Sequence, residues 1–228
     1  MKPVSVSVGE RESDLGELAV PLRLEELLEG KGDWEVELGF GKGRNLLRCA
    51  QESPAARFVG VEMASAYYRM VRRRARHRSI SNLVLIRGEA LLVLSAVLPQ
   101  GFASAVHVYF PDPWPKARHQ RRRLFDAESI DLVLSLLEPG GRLFFATDHV
   151  EYGAAVEEML DSHPDTIVHR LAGLWENGAR TNYEMKYERQ GRPILRLEVE
   201  WHPQEAGFAF HPAGEAGILA ATCPRTEP

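Results

Sequence analysis

The sequence predicts an α/β fold, a doubly wound, mostly parallel seven-stranded sheet with helices on both faces. Three observations carry that expectation. From Asp33 onward, short apolar runs that read as strands alternate with segments of helical spacing, the rhythm that gives a parallel sheet. The first strand runs into a glycine-rich turn, ELGFGKG (Glu37–Gly43), placed to open a helix. An acidic residue stands at or just past each of the first five strand ends: Glu37, Glu62, Glu89, Asp112 and Asp148. Ligands in such sheets bind beyond the carboxyl ends of the strands, so these positions are where function is sought.

The elements follow in order. WEVELGF places Trp34, Val36 and Leu38 on one face of a strand, and RNLLRCAQESP reads as a helix stopped before Pro54. RFVGVE is a buried strand ending at Glu62. ASAYYRMVRRRARHRS is a helix with Tyr67, Met70, Val71 and Ala75 at helical spacing. NLVLIRG is the third strand, EALLVLSAVLP a short helix, and SAVHVYF the fourth strand. LFDAESIDLVLSLLEPGG predicts a helix closed by Pro and Gly, with Leu132, Leu136 and Leu137 toward the core. RLFFATD is the fifth strand, and a helix covers about Tyr152 to Ser162. TIVHRL and RPILRLEVEW give two more strands around a polar loop.

The chain of 228 residues suits one such domain with additions at its ends. Residues 1–32 read as a weakly ordered lead-in with one short helical candidate, LRLEELLEG. The domain occupies 33–201. The tail, 202–228, is rich in Ala, Gly and Pro and is expected to lack structure. No stretch approaches the ~20 apolar residues that span a bilayer. MKPVSVSVGERESD has no apolar segment of the secretory kind. Cys49 and Cys223 lack a metal-ligand or redox spacing, as do His107, His119 and His149. A reduced, cytoplasmic chain without metal is expected.

The net charge is −4, yet the charges are unevenly placed. RMVRRRARHR (Arg69–Arg78) carries six arginines, and KARHQRRR (Lys116–Arg123) five Lys and Arg residues. Local charge sets the field at a binding surface, so both blocks are candidates for a polyanion.

In the glycine turn, Gly39, Gly41 and Gly43 allow positive φ and let a ligand approach the backbone. Glu62 lies nineteen residues past Gly43 at a strand end, where a carboxylate can accept both hydroxyls of a ribose. NAD and S-adenosyl-L-methionine both offer that ribose. Glu37 favours the second, because a carboxylate repels a pyrophosphate and attracts a sulfonium and an ammonium. Glu89 is placed to accept from an adenine amine, or to cap the next helix. In YFPDPWPKARHQRRR, Pro111, Pro113 and Pro115 hold the chain extended, with Asp112 and Trp114 projecting between them. Arg121–Arg123 stand at a helix start, where basic charge opposes the dipole unless an anion binds. T-x-Y-E at Thr181–Glu184 fits a helix-capping pattern as well as a binding loop.

ELGFGKG, VGVE, VYFPDPWPKARHQRRR, ATD and TNYEMKYERQG resemble, in order and spacing, the bacterial tRNA (guanine-N7-)-methyltransferases, over roughly Asp33 to Trp201. The resemblance implies a Rossmann-like class I methyltransferase fold. It implies methyl transfer from S-adenosyl-L-methionine to N7 of a guanosine in the tRNA variable loop, by a monomer or a homodimer. It assigns cofactor contacts to Glu37, Glu62, Glu89 and Asp112, beside the glycines at 39, 41 and 43, with Asp112 also catalytic. It assigns substrate contacts to Lys116, Asp148, Thr181, Asn182, Tyr183 and Glu184. RNA contacts fall to Arg118, His119, Gln120, Arg121, Arg122 and Arg123. Two departures stand out: the family usually has Asp at the place of Glu89, and it tends to carry a basic N-terminal arm where this chain is largely acidic. The rival readings are an exocyclic-amine RNA or DNA methyltransferase, whose D-P-P-aromatic turn is similar to P-D-P-W, and a catalytically silent RNA-binding protein of the same fold.

Replacing Arg121–Arg123 with Ala is expected to weaken tRNA binding and flatten its salt dependence. The slope of log affinity against log salt should fall by somewhat under ~0.9 for each phosphate no longer neutralised. An unchanged slope assigns the run to a solvated surface.

Overall fold

The computed structural model describes residues 4–9, 11–113, 124–126 and 129–204. Lys116, the expected RNA segment Arg118–Arg123, Trp114, Pro115 and the tail from 205 lie outside the described residues. In chain order the elements are β1 (Ser5–Val8), β2 (Arg11–Asp14), a single 3₁₀ turn (Leu15–Glu17), α1 (Leu24–Leu27), β3 (Trp34–Leu38), α2 (Arg44–Glu52) and β4 (Arg57–Val61). There follow α3 (Ser65–His77), β5 (Leu83–Arg87), α4 (Ala90–Ala96), β6 (Ala103–Tyr109) and α5 (Ile130–Leu134). The last elements are β7 (Leu137–Thr147), α6 (Val150–Asp161), β8 (Thr166–Arg170), α7 (Asn182–Arg189) and β9 (Leu195–Trp201).

The sheet order is β2-β1-β5-β4-β3-β6-β7-β9-β8. Strands β5, β4, β3, β6 and β7 run parallel, with the topological switch at β3, which pairs with both β4 and β6. Strand β9 runs antiparallel between β7 and β8. Those seven strands are the expected sheet. Two more join it, because the lead-in is ordered: β1 and β2 form a hairpin, and β1 adds antiparallel to β5. The driving force is burial, since Val4 and Val6 are 7% and 3% exposed within the main core. The short alternation VSVSV carries that signal, and the acidic residues around it obscure it.

The two faces of β3 explain the layering. Trp34, Val36 and Leu38 enter the larger core with Val93 and Leu94 of α4 and Val97 just past it, Val133 and Leu134 of α5, and Val156 and Leu160 of α6. On the other face Leu46, Leu47 and Ala50 of α2 pack with Tyr68, Val71 and Ala75 of α3 against Phe58, Leu83 and Leu85. The buried register of α3 is therefore 68, 71 and 75. Tyr67 and Met70, expected on that stripe, are only half-buried.

Two expected elements differ. The helix before Pro139 is short, ending at Leu134, because Leu137 enters the sheet opposite Ala103. The register then shifts, so that Ala105 faces Arg142 and Gly140 turns at φ +82°. The polar stretch at 182–189 is a helix, α7, and not a loop.

Val6→Ala is expected to lower stability by about 1.5–3 kcal/mol, the loss of two buried methyls plus the cavity left. Ile167→Ala, half exposed on the edge strand β8, should cost under ~0.5 kcal/mol. Urea midpoints of the two variants check the contrast.

Candidate active site

Every parallel strand ends at one rim of the sheet, and the glycine turn crosses that rim after β3. Gly39, Gly41 and Gly43 have φ of +73°, +51° and +68°, a left-handed backbone that side chains resist. Gly43 is also a close approach, since a Cβ there would lie 2.6 Å from Cγ2 of Val71 on α3. Above Gly39 there is open space, so a ligand can lie against the bare backbone of the turn.

Glu62, one residue past β4, fixes this turn. One carboxylate oxygen accepts from the Gly41 N–H at 2.8 Å, the other from the Ala64 N–H at 2.8 Å. Each oxygen keeps a further lone pair, and the side chain is half-buried and not sealed. A vicinal diol fits that remaining capacity. Met63 beside it is 52% exposed, an apolar surface at the same rim. Glu89 takes the capping role: its oxygens accept from the Leu91 and Leu92 N–H groups at 3.2 and 3.1 Å at the start of α4. Its carboxylate is oriented by the helix first, and any adenine contact must share it.

Glu37 does not face the rim. It points under the turn toward α2, 4% exposed, and accepts from Asn45 Nδ2 at 3.0 Å. Burial pushes its carboxyl up to about 7, against the pull of Asn45, the nearby Arg180 charge and the Leu46 N–H. The expected electrostatic attraction to a sulfonium therefore comes from a group that braces the turn from below.

The other half of the rim belongs to β6, β7 and α7. Phe110, just past β6, has φ +53°, a strained value for a bulky residue preceding proline. That kink turns the chain out of the sheet, and Asp112 is exposed at the rim. The prolines alone do not shape this turn; the left-handed Phe110 makes it. Phe110 packs on Tyr187 and Tyr183 of α7, with ring centroids 5.6 and 6.3 Å away. Tyr183 is 53% exposed. Partial burial first, and then the neighbouring Tyr67, Tyr187, Asp112 and Glu62, raise its hydroxyl pKa. Asp148 pairs with Arg192 at 3.0 Å, and Arg192 in turn stacks on Tyr187 at 4.6 Å.

A family model described as "Putative methyltransferase" matches residues 32–197. A tRNA (guanine-N(7)-)-methyltransferase of Nitrosococcus oceani is 31% identical over 180 residues, 79% of this chain and 76% of its own. One from Leifsonia xyli is 36% identical over 167 residues, 72% of this chain and 74% of its own. The chain belongs to the tRNA (guanine-N(7)-)-methyltransferase family. Among solved structures, a 16S rRNA (adenine(1408)-N(1))-methyltransferase variant from Catenulisporales acidiphilia with cosubstrate SAM shares the fold. Its TM-score is 0.57 at 18% identity, covering 90% of this chain and 99% of its own.

Within this methyltransferase fold, two assigned substrate residues have structural duties. Thr181 caps α7, accepting from the Glu184 N–H at 3.0 Å, and Glu184 accepts from the Arg180 N–H at 2.7 Å. Glu184 is 0% exposed and bonds Arg196 Nε of β9 at 2.6 Å. Glu184 is thus buried and its oxygens are engaged, so it holds α7 to the sheet. Asn182 and Tyr183 are the exposed members of that motif.

Sequence reasoning missed the polar layer beneath the rim. Arg180 lies 4.2 Å from the Trp175 ring centroid and 4.5 Å from that of Phe144, and donates to the Tyr109 hydroxyl. With its acceptor side engaged, Tyr109 gives its proton to His107 Nδ1 at 2.8 Å. His107 Nε2 then donates to Glu35 at 2.9 Å. Burial first depresses the His107 pKa, in keeping with this neutral tautomer. Burial pushes the Glu35 carboxyl up, but the His107 bond and the Arg180 charge outweigh it and the net shift is downward. The alternation of Glu35 and Glu37 with the apolar face of β3 was the available signal. Near the amino ends of β6 and β7, a cleft of about 390 Å³ opens on this layer. Its charged lining is paired, as in Arg48–Glu52, Arg142–Glu198 and His107–Glu35.

Glu37 makes the stability of the domain pH-dependent. Its folded pKa is raised, so its contribution is fully present below the unfolded value of 4.5 and is lost as pH rises through about 7. Glu37→Gln should abolish that loss, gaining on the wild type by on the order of 3 kcal/mol between pH 4 and pH 8. Urea unfolding of both chains at several pH values checks it. A constant difference means an ionised carboxylate.

Proposed function

We propose that this chain binds S-adenosyl-L-methionine across the β3–β5 half of the rim and methylates N7 of a guanosine in the variable loop of tRNA. One observation carries the reading: Glu62 is fastened beneath an open glycine turn at the same rim as Asp112, in a chain of this family. The cofactor supplies an electrophilic methyl group on a sulfonium. The residues present fit it, since the exposed turn accommodates the methionyl part and Glu62 the ribose diol. Glu89 lies one strand further along, at the place of the base, and Met63 adds an apolar surface beside it.

Guanine N7 presents an in-plane lone pair and carries no proton, so its attack needs no general base. The site has to hold the nitrogen in line with the methyl and exclude other orientations, and alignment of this kind supplies ~7–11 kcal/mol in favourable cases. Asp112 is the orienting acceptor for the guanine N1–H and amino edge, and its charge favours the cation that develops on the ring. Tyr183 and Asn182 border the same space from α7. Asp148, held by Arg192, completes the wall on the β7 side.

The test is incubation with radiolabelled S-adenosylmethionine and tRNA lacking the modification, followed by nucleoside analysis. N7-methylguanosine is expected, with chain scission at that site after borohydride and aniline. Label on an exocyclic amine overturns the reading. Asp112→Ala should lower kcat about 10²-fold or more while cofactor affinity stays within about threefold. Loss of cofactor affinity in parallel with activity moves Asp112 into a binding role.

A further inference from the structure

The first arginine block of the sequence forms α3, and the rim chemistry leaves it unused. The helix SAYYRMVRRRARH contains no acidic residue. Its buried side is Tyr68, Val71 and Ala75. Arg69, Arg73 and Arg76 follow at i, i+4 and i+7, within roughly 60° of arc on the opposite side, and all three are exposed. Neighbouring arginines are pinned: Arg72 to Glu12 at 2.5 Å, Arg74 to the Lys42 carbonyl at 3.0 Å, and Arg78 to Gln51 at 3.0 Å. Arg69 and Arg73 have no hydrogen-bonding or ionic partner among the described residues.

Three features set the occupant of this face. Like charges four residues apart repel on a helix, so the Arg69–Arg73 pair is unfavourable until an anion meets it. The groups are guanidinium forks, which match phosphate oxygens two at a time. The stripe adjoins the site as well. Helix α3 starts three residues past Glu62, and Arg69 lies ~6 Å along its axis from Ser65. The Arg74 bond joins it to the glycine turn, which adds the exposed Lys42 and Arg44.

We infer that the Arg69–Arg73–Arg76 face of α3 is a second docking surface for the phosphodiester backbone of the tRNA, distinct from the Arg118–Arg123 segment. It supplies here the cationic grip that the acidic lead-in does not. The inference rests on the tRNA methyltransferase reading above.

The test is equilibrium binding of unmodified tRNA to the full chain at several salt concentrations, comparing wild type with an Arg69→Ser, Arg73→Ser double variant. The control is an Arg23→Ser, Arg170→Ser double variant, equal in charge change, at two exposed positions on other elements than α3. Thermal melting and calorimetry with S-adenosylmethionine establish that all three chains fold alike. The α3 variant should bind tRNA about tenfold more weakly near 0.1 M salt. Its slope of log affinity against log salt should be shallower by about 1.4–1.8. The control should change less than about twofold. A wild type that binds tRNA and an α3 variant with the same affinity and slope overturn this inference alone. Equal losses in both variants also overturn it, by reducing the effect to net charge. A wild type that binds no tRNA overturns the functional reading together with it.

Discussion

Two hydrogen bonds to one carboxylate organise the β3–β5 half of the rim. Glu62 receives the Gly41 and Ala64 N–H groups through its side chain. Through its main chain it pairs with Ile86 and with the Gly88 N–H. One residue thus ties together the ends of β3, β4 and β5 and the start of α3. A left-handed glycine turn left to itself would sample many conformations. Held by a charge-assisted bond, it presents a single backbone surface, and the open space above it keeps that surface available.

The β6–β7 half of the rim is fixed by different means. Helix α7 is bound to β9 through Arg196, which meets Glu184 and Glu188. A buried ion pair of this kind carries a desolvation cost close to its attraction, so its main effect is to specify one arrangement. Here the arrangement brings Tyr183 and Tyr187 against Phe110, so that the strained end of β6 and the start of α7 hold each other. The Arg192–Asp148 pair extends the same wall to the end of β7. Between the two halves lies the polar layer of Arg180, Tyr109, His107 and Glu35, whose internal bonds leave its buried groups satisfied.

Much of this was legible because strand and helix periods differ. The alternation of Trp34, Val36 and Leu38, and the glycine turn after them, sufficed to place β3 and α2. The strand ends then pointed to Glu62 and Asp112. Other features depend on partners distant in sequence, which a local pattern does not reveal. Val6 and Val8 become part of a strand only because β5 offers a free edge. Leu137 leaves its helix because β6 offers a pairing position. Glu37 carries the same residue type as Glu62 but falls on the α2 side of its strand, where it is buried against Asn45. Glu184 illustrates the limit of a motif. T-x-Y-E identifies the segment, while only the position of Arg196, twelve residues on, decides that the acid is buried.

Strands β1 and β9 run in the same direction, both against the central parallel strands, and this gives the domain a polarity at its ends. Strand β1 begins beside Arg87, at the rim that carries Glu62 and Glu89. Strand β9 begins beside Thr147 and runs down to Trp201, at the far edge of the sheet. A surface tether joined directly after Gln204 therefore starts at the end of the sheet opposite Glu62. The same tether placed before Val4 stands beside the rim that carries Glu62 and Glu89.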